Sequence, residues 1–220
     1  MIETHRMSLP CLGGGHDRAA VFRNEIDSPD HLLIVVADGA GSQRGATAAV
    51  DLLIDGVRER FERRSRPLGP VGLRRELERL DALLRDEADG GQSTAVLIEV
   101  VGDAFWGASV GDSGAWLVLG DEHLDLTRGQ DRKWRLGTGF ATPRAFGPMP
   151  LLGTLMVGTD GLFECAAPDH LSGQISAAPL EAIARSLVHT VRTPDGGLRD
   201  DLALVLLRPA AAAAQQVRAA

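Results

Sequence analysis

The chain has 220 residues, 44% of them hydrophobic, and a formal net charge of -7. That length and apolar content suffice for one substantial core, which makes a single domain the working expectation, and the acidic balance argues against a general nucleic-acid or membrane-surface binder, because both partners reward a basic face. Cys11 and Cys165 stand far apart with no CxxC and no His at zinc-finger spacing, so they read as two buried thiols rather than a disulfide framework or a structural zinc site; with no basic leader and no run of membrane-span length, the expectation is a soluble, cytoplasmic protein.

In chain order, HLLIVVAD (31–38) reads as a buried strand by its continuous apolar character. SQRGATAAVDLLIDGVRERFERR (42–64) then repeats apolar residues at helical spacing, with Ser42 as its N-cap, and SRPLGP breaks it. VGLRRELERLDALLRDEA (71–88) predicts a second helix with Leu73, Leu77, Leu80 and Leu84 on one core-facing stripe. After DGGQ come four short apolar segments parted by Gly and Asp, STAVLIEVV, AFWGASVGD, GAWLVLG and EHLDLT, the pattern of an antiparallel meander. Residues 128–150 are rich in Gly and Pro without periodicity and read as a surface loop or small flap. LLGTLMVGTDGLFECA predicts another strand, ending at Asp160-Gly161; a helix over 178–192, the turn DGGL and a closing strand DLALVLL, preceded by Asp200, complete the pattern. The Ala-rich tail, 209–220, is given no role, and no internal repeat is visible.

Asp38 leaves the first buried strand between apolar residues and two glycines. Three readings compete: a turn Asp bonding its own backbone, a loosened dinucleotide fingerprint over Gly39, Gly41 and Gly45, or a metal-binding carboxylate. The dinucleotide reading needs a second strand closed by an acid about 20 residues on, but here one helix runs into another and Asp55 and Glu59 fall inside the helical pattern. No Gly-Lys-Ser/Thr follows, which removes the P-loop. Asp38, Asp112, Asp160 and Asp200 all lie at strand ends. If those ends share one edge, their repulsion calls for a cation, and an all-oxygen ligand set selects Mg2+ or Mn2+ over zinc or copper. Taken one at a time, each Asp-Gly is also ordinary turn chemistry.

The order VVADGAGS, GQSTAVLIEV with ASVGDSGAWLV, LMVGTDGLFECA and RDDLALVLL resembles the PP2C/PPM metal-dependent protein phosphatases, especially their compact bacterial members, over about residues 32–208. The resemblance implies an α+β fold, a four-layer α-β-β-α sandwich of two mainly antiparallel sheets, as a single domain over 1–208. It also implies two Mn2+ or Mg2+ ions held by Asp38, the Gly39 carbonyl, Asp160 and Asp200, with a third, weaker ion at Asp112 in some members, and Asp201 where many relatives have Asn. The implied activity is hydrolysis of phosphoserine or phosphothreonine in proteins, some of them substrates of a paired kinase, by a hydroxide bridging the two metals and without a covalent enzyme intermediate. In the N-terminal motif, Asp17 stands for the family's second-metal Asp, His16 replaces the acid or amide before it, and Leu12 falls where an Arg that grips phosphate is expected. Arg6 or Arg18 could supply that cation, and His16 is either a loop His or a water- or phosphate-contacting group. Ala40 occupies the place of a general-acid His found in some members, and Asp131 and Arg132 could line the site from the shortened flap. The altered N-terminal motif leaves open a catalytically silent domain that binds a phosphorylated or signalling partner, and small phosphate esters are a third substrate class.

Overall fold

A computed structural model describes residues 1–24, 31–64, 66–87 and 91–210. Its elements run β1 (Ile2–Leu9), β2 (Arg18–Arg23), β3 (His31–Ala37), β4 (Gly39–Ala40), α1 (Gln43–Glu62), α2 (Gly69–Glu87), β5 (Gln92–Ser93), β6 (Ala95–Val101), β7 (Ala104–Val110), β8 (Gly114–Leu119), β9 (Glu122–Asp125), β10 (Arg144–Pro150), β11 (Thr154–Gly158), α3 (Asp160–Phe163), α4 (Pro168–Ser172), α5 (Leu180–Val191) and β12 (Leu202–Pro209). Two five-stranded sheets form, ordered β1-β12-β11-β8-β9 and β10-β7-β6-β3-β2, together with a two-stranded β4-β5 ribbon, and every pairing is antiparallel.

The continuous apolar runs of the central strands follow from cover on both faces. In β3, Leu32, Ile34 and Val36 face the opposite sheet, where they meet Val205 and Leu207 of β12 in one cluster. The alternate residues Leu33, Val35 and Ala37 face the α1–α2 layer and its Leu73, Leu77, Leu80 and Leu84 stripe, all fully buried. β12 divides in the same way, with Leu202, Leu204 and Leu206 packing on Ile183, Ala184 and Leu187 of α5. Because successive side chains of a strand point to opposite faces, a strand sandwiched between a sheet and a helix must be apolar throughout. This is the four-layer α-β-β-α arrangement that the family resemblance implies.

The structure departs from the sequence reading at the edges. β1, β2 and β10 were not anticipated, and each lies at or beside a sheet margin with half-exposed residues. β10 occupies the end of the expected 128–150 loop; its register against β7 shifts between Phe146 and Met149, and two prolines are accommodated because an edge strand leaves N–H positions unpaired. Thr94 interrupts the expected 93–101 strand, leaving β5 and β6. Cys11 and Cys165 are half-buried free thiols rather than core residues, since each sits on a loop or turn beside the carboxylate end of the molecule. The Ala-rich tail from residue 211 onward lies outside the described residues.

Candidate metal centre

The strands that carry the Asp motifs all end on one side of the sandwich. Asp38 follows β3 of one sheet, Asp160 follows β11 of the other, and Asp112 sits in the turn where the chain crosses from β7 to β8. Their carboxylates converge: one oxygen from each of Asp38, Asp112 and Asp160 lies within 4.8 Å of the others. Asp17, just before β2, is 5% exposed and lies close enough to Asp38 for the two carboxyls to influence each other's protonation. Asp200, just before β12, is exposed, but its charge acts on both Asp38 and Asp160.

Glycine after the Asp is a packing requirement at two of these positions. A Cβ on Gly39 would stand 2.8 Å from the Ala46 carbonyl of α1, and one on Gly161 would stand 1.9 Å from the Asp201 carbonyl. Only a residue without a side chain lets the backbone pass that close. Ser42 caps α1 as expected, accepting from the Gly45 N–H at 3.1 Å.

Asp38 is also braced by hydroxyl groups that sequence reasoning did not single out. Its N–H donates to Thr94 Oγ1 at 3.1 Å, and its carbonyl accepts from the Thr94 N–H at 2.9 Å and from Ser93 Oγ at 3.1 Å. Thr94 Oγ1 in turn meets Ser113 Oγ, next to Asp112, at 2.6 Å. All three hydroxyl residues are buried, so two of the strand ends are tied together by one polar network. Their signal in the sequence was only that STA and DSG flank the strands.

The electrostatics are those of carboxylates held together without enough positive charge. Burial, then the charge of Asp38, pushes Asp17 up to about 9, opposed by the Thr159 hydroxyl. Burial, then Asp38, Asp112 and Asp200, pushes Asp160 up to about 7. Asp38 is raised chiefly by burial, with its Asp17 hydrogen bond and the Arg135 guanidinium pulling the other way. Arg135 Nη2 donates to Asp112 Oδ2 at 3.0 Å.

Asp201 behaves oppositely. It is buried, yet the backbone N–H groups of Gly15, His16 and Cys11 outweigh that burial and hold its carboxyl below the usual range. Cys11 N and His16 N lie 2.8 and 2.7 Å from its oxygens. It is therefore an anchor for the 11–16 loop that leads into Asp17, a role that needs an acceptor.

The remaining candidates are engaged elsewhere. His16 is not in the carboxylate cluster; its Nδ1 lies 2.9 Å from Thr47 Oγ1 on α1. Leu12 is fully exposed. Arg6 donates to the Ala19 carbonyl, and Arg18 to the Gly15 and Asp17 carbonyls, so neither guanidinium is given over to the cluster. Asp131 accepts from Lys133 N–H, and Arg132 pairs with Glu164 at 3.2 Å, both exposed.

The donor set suits a hard divalent cation. Every converging atom is an oxygen, and Asp17 Oδ2 and Asp112 Oδ1 are buried with no hydrogen-bond partner, which is costly unless something positive meets them.

Comparison with known proteins agrees with this architecture. The profile of the Stage II sporulation protein E (SpoIIE) family matches residues 28–210. Comparison with curated proteins gives no match. Similar solved structures include a bacterial serine phosphatase variant, at 19% identity over 96% of this chain and 99% of that chain with TM-score 0.84. Serine/threonine phosphatase Stp1 from Staphylococcus aureus matches at 17% identity over 96% of each chain with TM-score 0.79. The catalytic domain of serine/threonine protein phosphatase PstP, solved in complex with two manganese ions, matches at 18% identity over 94% of this chain and 97% of that chain with TM-score 0.71. With a matching profile over most of its length and the two-sheet sandwich of the bacterial phosphatases, the chain belongs to the SpoIIE family, which is PP2C-like.

Proposed function

We propose that this protein is a Mn2+- or Mg2+-dependent serine/threonine phosphoprotein phosphatase. The observation that carries this reading is the convergence of Asp38, Asp112 and Asp160 at the joined ends of the two sheets, with Asp17 buried beside Asp38. Asp38, the Gly39 carbonyl, Asp160 and Asp200 would hold two ions, with Asp17 beside them and Asp112 at the place of a third, weaker ion. When bound, the ions supply an activated water as nucleophile and neutralise charge on the phosphoryl group during in-line displacement.

The chain's own part is geometric and electrostatic. Thr94 and Ser93 hold the Asp38 backbone, with Ser113 backing Thr94, and the Asp201 anchor fixes the loop before Asp17. Strand ends hold such a constellation more tightly than free loops do. Burial and mutual repulsion favour the protonated forms of Asp17 and Asp160, and a bound cation would favour their anionic forms instead. His16 is assigned to the rim of the site, its ring steadied by Thr47.

The test is hydrolysis of p-nitrophenyl phosphate and of a phosphothreonine peptide with Mn2+, with Mg2+ and with chelator, beside Asp160→Asn. Metal-dependent turnover that disappears in the variant is the expected result. Folded, metal-binding protein that hydrolyses neither compound would refute the enzyme reading in favour of a phospho-binding domain.

A further inference from the structure

Arg135 stands out from the cations of the 128–143 loop. Arg132 and Lys133 are turned to Glu164 and to the face of Trp134. Arg135 instead reaches the carboxylate cluster, with its side chain 30% exposed and Nη2 3.0 Å from Asp112 Oδ2, and its charge is felt at Asp38. Its Nε is buried and has no partner. A guanidinium presents five donors in a planar fork, and Asp112 takes one of them.

The loop is built to hold that fork in place. Leu136, fully buried, exchanges two backbone hydrogen bonds with Ser93 of β5, at 3.1 and 2.8 Å. Immediately after it, Asp81 of α2 accepts the N–H groups of Gly137, Gly139 and Ala141 at 2.8, 3.0 and 3.2 Å. The Thr138 hydroxyl donates to the Arg135 carbonyl at 2.7 Å. Ser93 also braces Asp38, so Arg135 and the first Asp are referenced to the same residue. A half-exposed loop residue anchored this firmly loses little entropy when it engages a ligand.

We propose that Arg135 is the side chain that binds the phosphoryl group of the substrate, with Asp112 orienting its fork. The proposal rests on the phosphatase reading above for its substrate class, a phosphate monoester. The physical need is general: a dianion entering an array of carboxylates requires a fixed counter-charge, and an Arg fork meets phosphate oxygens with paired donors. Arg6 and Arg18 are committed to backbone carbonyls and Leu12 carries no charge, so the flap, not the N-terminal segment, provides the grip.

The experiment is calorimetric titration of inorganic phosphate into Mg2+-supplemented wild type, Arg135→Ala and Arg135→Lys, with Mg2+ affinity and thermal midpoint measured on each, and with wild-type and variant kinetics on a phosphothreonine peptide. Loss of a charge-assisted hydrogen-bond pair predicts phosphate affinity weaker by about 10- to 100-fold in Arg135→Ala. Arg135→Lys recovers part of it, and KM for the peptide rises in step while Mg2+ binds no more weakly than to wild type and the midpoint stays at the wild-type value. Unchanged phosphate affinity in Arg135→Ala, no phosphate binding by wild type, or a variant whose defect is in Mg2+ binding would each overturn the proposal. Wild type that binds phosphate through Arg135 yet hydrolyses nothing would refute the phosphatase reading and leave this one standing.

Discussion

Two sets of buried carboxylates coexist in this molecule and have opposite surroundings. Glu99 of β6, 1% exposed, accepts from His31 Nε2, Trp106 Nε1 and the N–H groups of Leu68 and Gly69 at the start of α2. Glu76 of α2 is clamped by Arg60 and Arg79, and Asp81 takes three loop N–H groups. These carboxylates are saturated with donors and staple layers together. At the strand ends, Asp38 has Asp17 on one side and Asp160 and Asp112 on the other, the carboxyls of Asp17, Asp38 and Asp160 are pushed up, and Asp17 and Asp112 each retain a buried oxygen without a partner. Burial alone does not mark a candidate functional acid; burial with unmet charge does.

The largest effect expected from breaking this contrast is catalytic. Asp160→Asn removes one converging charge, and turnover falls by about 10^3-fold or more in the phosphatase assay, the equivalent of several kcal/mol of lost ion-supplied stabilisation. The same change leaves the metal-free fold as stable as wild type or more so, because it relieves repulsion. Glu99→Ala does the reverse: it strands His31, Trp106 and the α2 N-terminus without an acceptor, costs about 3–5 kcal/mol in denaturant unfolding, and leaves Mn2+ affinity intact.

Next in size, Asp81→Ala frees three loop N–H groups and costs about 1–3 kcal/mol by denaturant unfolding. It also raises KM for a phosphopeptide, because the loop carrying Arg135 loses its clamp. A pH series sharpens the comparison further. Asp17 and Asp160 have folded values of about 9 and about 7 against 3.8, so the folded state holds more protons than the unfolded chain between those limits. Unfolding free energy of the metal-free protein therefore falls as pH rises from about 4 toward about 9, and the slope should flatten in excess Mn2+, read as thermal midpoints across that range. The smallest effect is expected at an ordinary exposed pair: Arg63→Ala, which breaks the contact with Glu59, shifts stability by less than about 0.5 kcal/mol.

What was legible in the sequence is what local chemistry encodes. A strand buried on both faces must be apolar throughout, so β3, β6, β11 and β12 announced themselves, and the Asp-Gly steps that follow β3 and β11 marked where the chain leaves the core. The two amphipathic helices, their Leu stripe and the Ser42 cap were equally readable, because their signals repeat within one or two turns. β1, β2 and β10 carried no such signal; half-exposed margin strands form because a neighbour offers hydrogen bonds, which composition does not display.

The amino-acid sequence alone determined the order of the acidic motifs, the kind of ligand atoms they offer and the family they resemble. Tertiary structure alone decided which acids meet. It separated the adjacent Asp200 and Asp201, one left exposed beside the cluster and the other turned inward as a loop anchor, and it brought Arg135 to Asp112 and Asp81 to the flap across 23 and 56 or more residues of chain. Those contacts depend on where the ends of two sheets and the intervening helices come to rest, and no spacing rule along a single element reports that position.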